Sequence, residues 1–202
     1  MTDVHRVPEM MKEPDVIDLL IHQHGMIRDL FDEVERAAPG ERREPFHRLV
    51  RLLAVHETAE EEVVHPYARR RIDGGEGVVA DRLREENEAK QLLAQLDREG
   101  PGHPDFAARL DSLRLAVLAH ARAEERYEFA RLKARTSAAE RRAMALGVRA
   151  AEAVAPTHPH PGVESATRNL LFGPPAAIVD RARDLIRKAA GRHASGTPEG
   201  GA

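Results

Sequence analysis

Four long stretches of the chain repeat apolar residues at three- and four-residue steps, the period of a helix with one buried face. The first opens at Pro14-Asp15, where proline suits the first turn and aspartate the positive end of the helix dipole. It carries Ile17, Leu20, His24, Ile27, Phe31 and Val34 and ends at Pro39-Gly40. The second, about 42–71, carries Phe46, Leu49, Leu53, His56, Glu60, Val63 and Tyr67 and breaks at Asp73-Gly74-Gly75. The third, about 76–98, carries Val79, Leu83, Glu86, Ala89, Leu93 and Leu96 and stops at Gly100-Pro101-Gly102. The fourth, about 104–134, carries Phe106, Leu110, Leu113, Val117, His120, Glu124 and Tyr127. Long helices joined by short loops predict an all-α fold, an up-down-up-down four-helix bundle.

The rest of the chain divides around that bundle. Residues 1–13 read as a flexible lead, 14–135 as the bundle, 136–190 as a helical extension and 191–202 as a small-residue, disordered tail. Within the extension an Ala-rich helix is expected at about 137–154. The run Pro156-Thr157-His158-Pro159-His160-Pro161-Gly162 must then be extended. A short helix at 164–172 and an amphipathic one at 175–190, using Ile178, Ala182, Leu185 and Ile186, complete the extension.

Composition narrows the function. Charged residues are 32% and aromatics 3%, a balance that suits amphipathic helices. A formal net charge of −3 argues against nucleic-acid or membrane partners. No apolar run reaches a membrane span, and the polar lead lacks a signal-peptide core, so a cytoplasmic protein is expected. The absence of cysteine excludes disulfides, thiolate metal sites and cysteine catalysis.

The chemistry lies in the polar residues that interrupt the apolar stripes: His24, His56 with Glu60, Glu86, and His120 with Glu124. In each His-x-x-x-Glu pair the carboxylate returns over the histidine one turn later, on the same face. Counted back to the connecting loops, all six can share one level of an antiparallel bundle. Unpaired buried carboxylates cost several kcal/mol each. Three imidazoles and three carboxylates without thiolate suit a pair of first-row ions, iron or manganese, with Glu60 and Glu124 as bridges. The rival reading is a buried ion-pair network, for which Lys90, at the edge of the third stripe, is the candidate counter-charge. A zinc hydrolase site leaves carboxylates in excess.

The other histidines fall elsewhere. His22 lies roughly 200° from His24, and His47 and His65 each lie roughly 180° from His56, so all three are expected on the solvent side. His5, His103 and His193 sit in lead, turn and tail, without a partner in helical register. His158 and His160 read as polar docking points of a stiff, proline-rich connector. Tyr127, three residues after Glu124, is expected beside the metal site, as an iron ligand or, more in keeping with its spacing, just outside the ligands.

With His24, His56-x-x-x-Glu60 and His120-x-x-x-Glu124 in this helical frame, residues 14 to about 135 resemble the hemerythrin-like HHE cation-binding domain. The tail around Pro156 to Pro161 is similar to an extension of actinobacterial members. The resemblance implies a four-helix bundle holding two iron ions with an oxo or hydroxo bridge, manganese being the alternative metal. It also implies small-molecule partners: oxygen, peroxide or nitric oxide. Family sequences carry Glu-His on the third helix where this chain has Glu85-Glu86, and the usual second histidine falls at Lys90.

That exchange of imidazole for carboxylate favours the ferric state, hence oxidation chemistry over reversible oxygen carriage. The expectation is a di-iron protein of oxidative or nitrosative stress, with peroxidase-, catalase- or nitric-oxide-processing activity. Two alternatives stay open: a sensor or store for oxygen, nitric oxide or iron, and a metal-free helical interaction protein.

Overall fold

A computed structural model describes residues 14–155, together with residues 184 and 186–188. The readings of the lead, of the His158–His160 loop, of the short helix at 164–172 and of the tail lie outside the described residues. So do those of His5, His193 and most of the helix at 175–190. All regular structure among the described residues is helical. No described helix is long and apolar enough to cross a membrane.

Helix α1 is Val16–Arg36. Its start is set by a capping box: Asp15 accepts from the Ile17 and Asp18 amides, and Asp18 accepts from the Asp15 amide. Helix α2 spans 43–71 and is interrupted by one π-helical turn, Glu60–Val64. Helix α3 is Gly75–Glu99. Helix α4 spans 106–135 and contains a second π-helical turn, Glu124–Phe129. Helix α5 is Ala138–Glu152, opened by a capping box between Ser137 and Glu140.

Turn chemistry makes the short α2–α3 connection. Gly74 takes φ 69°, in the left-handed region that favours glycine. At Gly75 a Cβ would stand 2.6 Å from the Arg69 carbonyl oxygen, so the two helices close only over a glycine.

In the bundle α1 packs on α2 and α4, and α3 on α2 and α4. Helix α5 lies against α1 and α2, including the π turn of α2. Arg141 of α5 donates to Asp15 at 2.6 Å, which ties it to the head of α1. Tyr67, read from its spacing as core, is half-buried and donates its hydroxyl to Glu140 at 2.6 Å.

The apolar core is split in two. One cluster holds Val16, Leu20, Val63, Ala68, Val79, Phe129 and Leu132, with Met144 and Val148 of α5 and Ile186. The other holds Ile27, Phe31, Phe46, Leu53, Leu93, Phe106, Leu113 and Val117. On every bundle helix the polar interruption falls between the two sets: His24 on α1, His56 and Glu60 on α2, Glu86 on α3, His120 and Glu124 on α4. The antiparallel fold therefore brings all six to one level.

Candidate metal centre

The six residues are buried together, Glu60 and Glu124 completely. Their donor atoms fall into two overlapping groups. In one, His24, His56, Glu60 and Glu124 place a ligand atom each within 4.8 Å of one another. In the other, Glu60, Glu86, His120 and Glu124 do the same. Glu60 and Glu124 belong to both, the positions of carboxylates that bridge two ions. Within the groups His56 Nε2 lies 3.3 Å from Glu60, His24 Nε2 3.3 Å from Glu124, and His120 Nε2 3.4 Å from Glu124.

Each of the three histidines is aimed by an acceptor behind it. His24 Nδ1 is 2.9 Å from Glu125, His56 Nδ1 is 2.8 Å from the side-chain oxygen Oε1 of Gln23, and His120 Nδ1 is 3.1 Å from Glu85. An imidazole whose Nδ1–H is donated outward keeps its Nε2 lone pair for the interior, the arrangement that orients metal-ligating histidines. Packing adds to this: His24 stacks on Phe129 and meets His56 edge-on at 5.1 Å between ring centres.

The inner atoms are left without hydrogen bonds. His24 Nε2, His120 Nε2, both oxygens of Glu60 and of Glu124, and one oxygen of Glu86 are buried and make no hydrogen bond. Orphaned buried groups of this kind are costly unless an ion satisfies them. The donor set, imidazole and carboxylate without sulfur, fits first-row cations.

Electrostatics agree. Burial, reinforced by the charge of Glu124, holds the Glu60 carboxyl well above the usual range. Burial also acts on Glu124, but His120 and His24 outweigh it and hold that carboxyl well below the usual range. Two like charges so close do not both ionise in water-free surroundings; a cation between them removes the conflict. Burial, then the neighbouring His24, lowers His56 to about 3, so it stands neutral and able to ligate.

The structure places other residues differently from the sequence reading. His65, expected on the surface, is buried, with Nε2 2.5 Å from Glu86 and Nδ1 3.1 Å from Glu128. The reason is the π turn: the His65 amide donates to the Glu60 carbonyl, a five-residue bond in place of the four-residue one. One added residue sets the following side chains back by roughly 100°, which carries His65 from the outside to the interior. The same device acts on Tyr127, expected beside the site. It is 46% exposed, with the Arg126 guanidinium over its ring, and Glu124, Glu128 and Phe129 are the buried residues of that turn.

Lys90 is buried rather than marginal. It donates to Glu61 and lies 3.8 Å from Glu57 and 3.9 Å from Glu86. His22 and His47 are exposed. His103, expected to be without a helical partner, lies 3.7 Å from Glu99, one turn back, and accepts from the Asp105 amide.

Several residues of the site were not singled out from sequence. Glu128 continues the four-residue register of His120 and Glu124, a signal open to reading. Gln23, Glu85 and Glu125 adjoin site residues in sequence, but nothing in the apolar period marks them. His65 depends on the π turn, which no residue pattern announces.

A helical bundle with a buried, two-part histidine–carboxylate site at mid-height is the architecture of a cation-binding helical protein. The chain belongs to the hemerythrin family: residues 15–154 match its description, "Hemerythrin HHE cation binding domain". That match also takes in α5. A protein of Nostoc sp. named "DNA nickase" is 32% identical over 123 residues, 60% of this chain and 34% of that protein. The chain thus spans about a third of that relative's length. No solved structure matches.

Proposed function

We propose that the chain holds two iron ions, oxo- or hydroxo-bridged, and reacts with peroxide, nitric oxide or oxygen, rather than carrying oxygen reversibly; manganese is the alternative metal. His24 and His56 would hold one ion, Glu86 and His120 the other, and Glu60 and Glu124 both. When bound, such a pair supplies redox chemistry that no side chain here has by itself.

The observation that carries the reading is the set of orphaned inner atoms: the Nε2 of His24 and of His120, whose outer nitrogens already have partners, and oxygens of Glu60, Glu124 and Glu86. It weighs against the metal-free interaction protein.

A cavity of about 20 Å³ adjoins the site, lined by His24, His56, Glu57, Glu86 and His120 together with Ile27, Leu53, Val117 and Leu118. It takes one water-sized molecule, which suits a small diatomic or peroxide and not a phosphodiester. The name of the Nostoc protein therefore finds no support in this site. Glu86 adds negative charge beside that cavity, and the protein surroundings favour its ionised form: His65, His120 and Lys90 outweigh its burial.

Turnover of peroxide and of nitric oxide by the iron-loaded chain tests the reading, with Glu86→His as the probe. Glu86→His is expected to slow consumption and to lengthen the life of any oxygen adduct. A stable, reversible adduct in the unaltered chain contradicts the proposal.

One observation favours a second reading, a sensor that signals through its C-terminal helices. The side-chain oxygen of Gln23 accepts from His56 Nδ1, and its amide nitrogen donates to Glu152 of α5 at 2.5 Å. A change at His56 thereby has a polar path to α5. Metal-dependent change in hydrogen exchange confined to α5 would speak for it; none would speak against.

A further inference from the structure

We propose that His65 is a fourth imidazole ligand of the centre, binding through Nε2 the ion held by Glu86 and His120. The inference rests on the dimetal reading above.

His65 shares with the other three an acceptor behind its outer nitrogen, and its inner nitrogen, unlike those of His24 and His120, is bonded to a candidate ligand, Glu86. Its Nδ1 is 3.1 Å from the carboxylate of Glu128 on the outside, and its Nε2 points inward, 2.5 Å from Glu86. Both His65 and Glu128 are buried, and the other oxygen of Glu128 has no partner. A ligand atom of His65 lies within 4.8 Å of one on Glu124, the bridging carboxylate of the second group. His65 thus already faces two of the second ion's candidate ligands.

The donor count points the same way. The first group contains two imidazoles and the second only His120. Adding His65 gives each ion two imidazoles beside the shared carboxylates. The third helix offers a carboxylate at Glu86, so the second imidazole has to come from another helix, and α2 supplies it.

The backbone provides the means. The π turn that begins at Glu60 ends at the residue before His65, and its closing bond is His65 amide to Glu60 carbonyl. π turns of this sort are rare and concentrate at functional sites. Here its effect is to bring an imidazole into the layer that an uninterrupted helix would leave in solvent. Glu128 is then the carboxylate that orients His65, as Glu125 orients His24 and Glu85 orients His120.

The test uses the full chain loaded with ferrous iron under controlled oxidation. In the crystal structure of the loaded protein, His65 Nε2 is expected in bonding contact with the ion of Glu86 and His120. His65 still bonded to both Glu86 and Glu128, with no ion at Nε2, overturns the inference, and so does a separate third ion among His65, Glu124 and Glu128.

In solution, His65→Leu should weaken the second ion by more than the roughly 10–100-fold expected for losing an outer partner in Glu128→Gln. Metal content then falls from two ions toward one. Two ions retained at unchanged affinity in His65→Leu, beside two in the unaltered chain, would refute the role of His65 alone. No metal in the unaltered chain would refute the dimetal reading itself. Should circular dichroism show His65→Leu unfolded, the loaded crystal structure decides.

Discussion

Glu60 and Glu124 occupy equivalent places on α2 and α4: each is the first residue of a π-helical turn, and each stands four residues after a histidine. The bundle sets them together at its centre, where each serves both donor groups. In the metal-free chain their titrations are pushed apart, that of Glu60 upward by burial and by Glu124, that of Glu124 downward by His120 and His24. Glu60→Gln makes the first position permanently neutral. Urea unfolding of chelator-treated protein should change by less than about 1 kcal/mol, while bound metal is lost. Full metal content in Glu60→Gln would show that this carboxylate is no bridge.

The outer acceptors are expected to matter less than the inner ligands but measurably. Removing Gln23 as Gln23→Leu leaves His56 Nδ1 without its partner, at a cost of about 10–100-fold in metal affinity. Competition with a chelator of known affinity measures it. An affinity equal to that of the unaltered chain would mean that packing alone orients His56.

Tyr127 provides a control from the opposite direction. With its phenol turned outward by the π turn, Tyr127→Phe should leave the visible spectrum, metal content and turnover as they were. Its stability should stay within about 0.5 kcal/mol, the usual range for a surface change. Loss of a phenolate-to-iron band in the variant would place the tyrosine on the metal after all.

Acid stability should depend on Glu140, remote from the metal layer. Burial raises its pKa, but hydrogen bonds from Tyr67, Ser137 and Arg71 outweigh this and bring it to about 2 from an ordinary 4.5. The folded value is the lower one, so the unfolded chain binds the extra proton between those limits. The contribution is therefore complete above about pH 4.5 and fades toward pH 2. It is worth at most about 3 kcal/mol. Glu140→Gln should lower stability at pH 7 and shrink the difference between pH 7 and pH 3 by a comparable amount. An unchanged difference would assign the acid loss elsewhere.

The bundle was readable because each of its four helices carries a regular apolar stripe, and because glycine and proline mark the breaks between those four. The six inner residues were readable for the same reason: they sit on those stripes, at the α-helical period. What escaped was whatever departs from that period. His65 follows one π turn and Tyr127 lies within the other, and the added residue exchanged their inside and outside positions. Lys90 looked marginal because its backbone position is at the edge of the stripe, yet its long side chain reaches inward to Glu61.

The central claim is a two-ion centre in the polar layer. The most direct measurement is the metal content of gel-filtered protein, expressed in iron-supplemented medium, alongside its near-ultraviolet spectrum. Two iron or manganese ions per chain are expected, with an oxo-to-iron band if the metal is iron. Less than one ion per chain and no such band would contradict it.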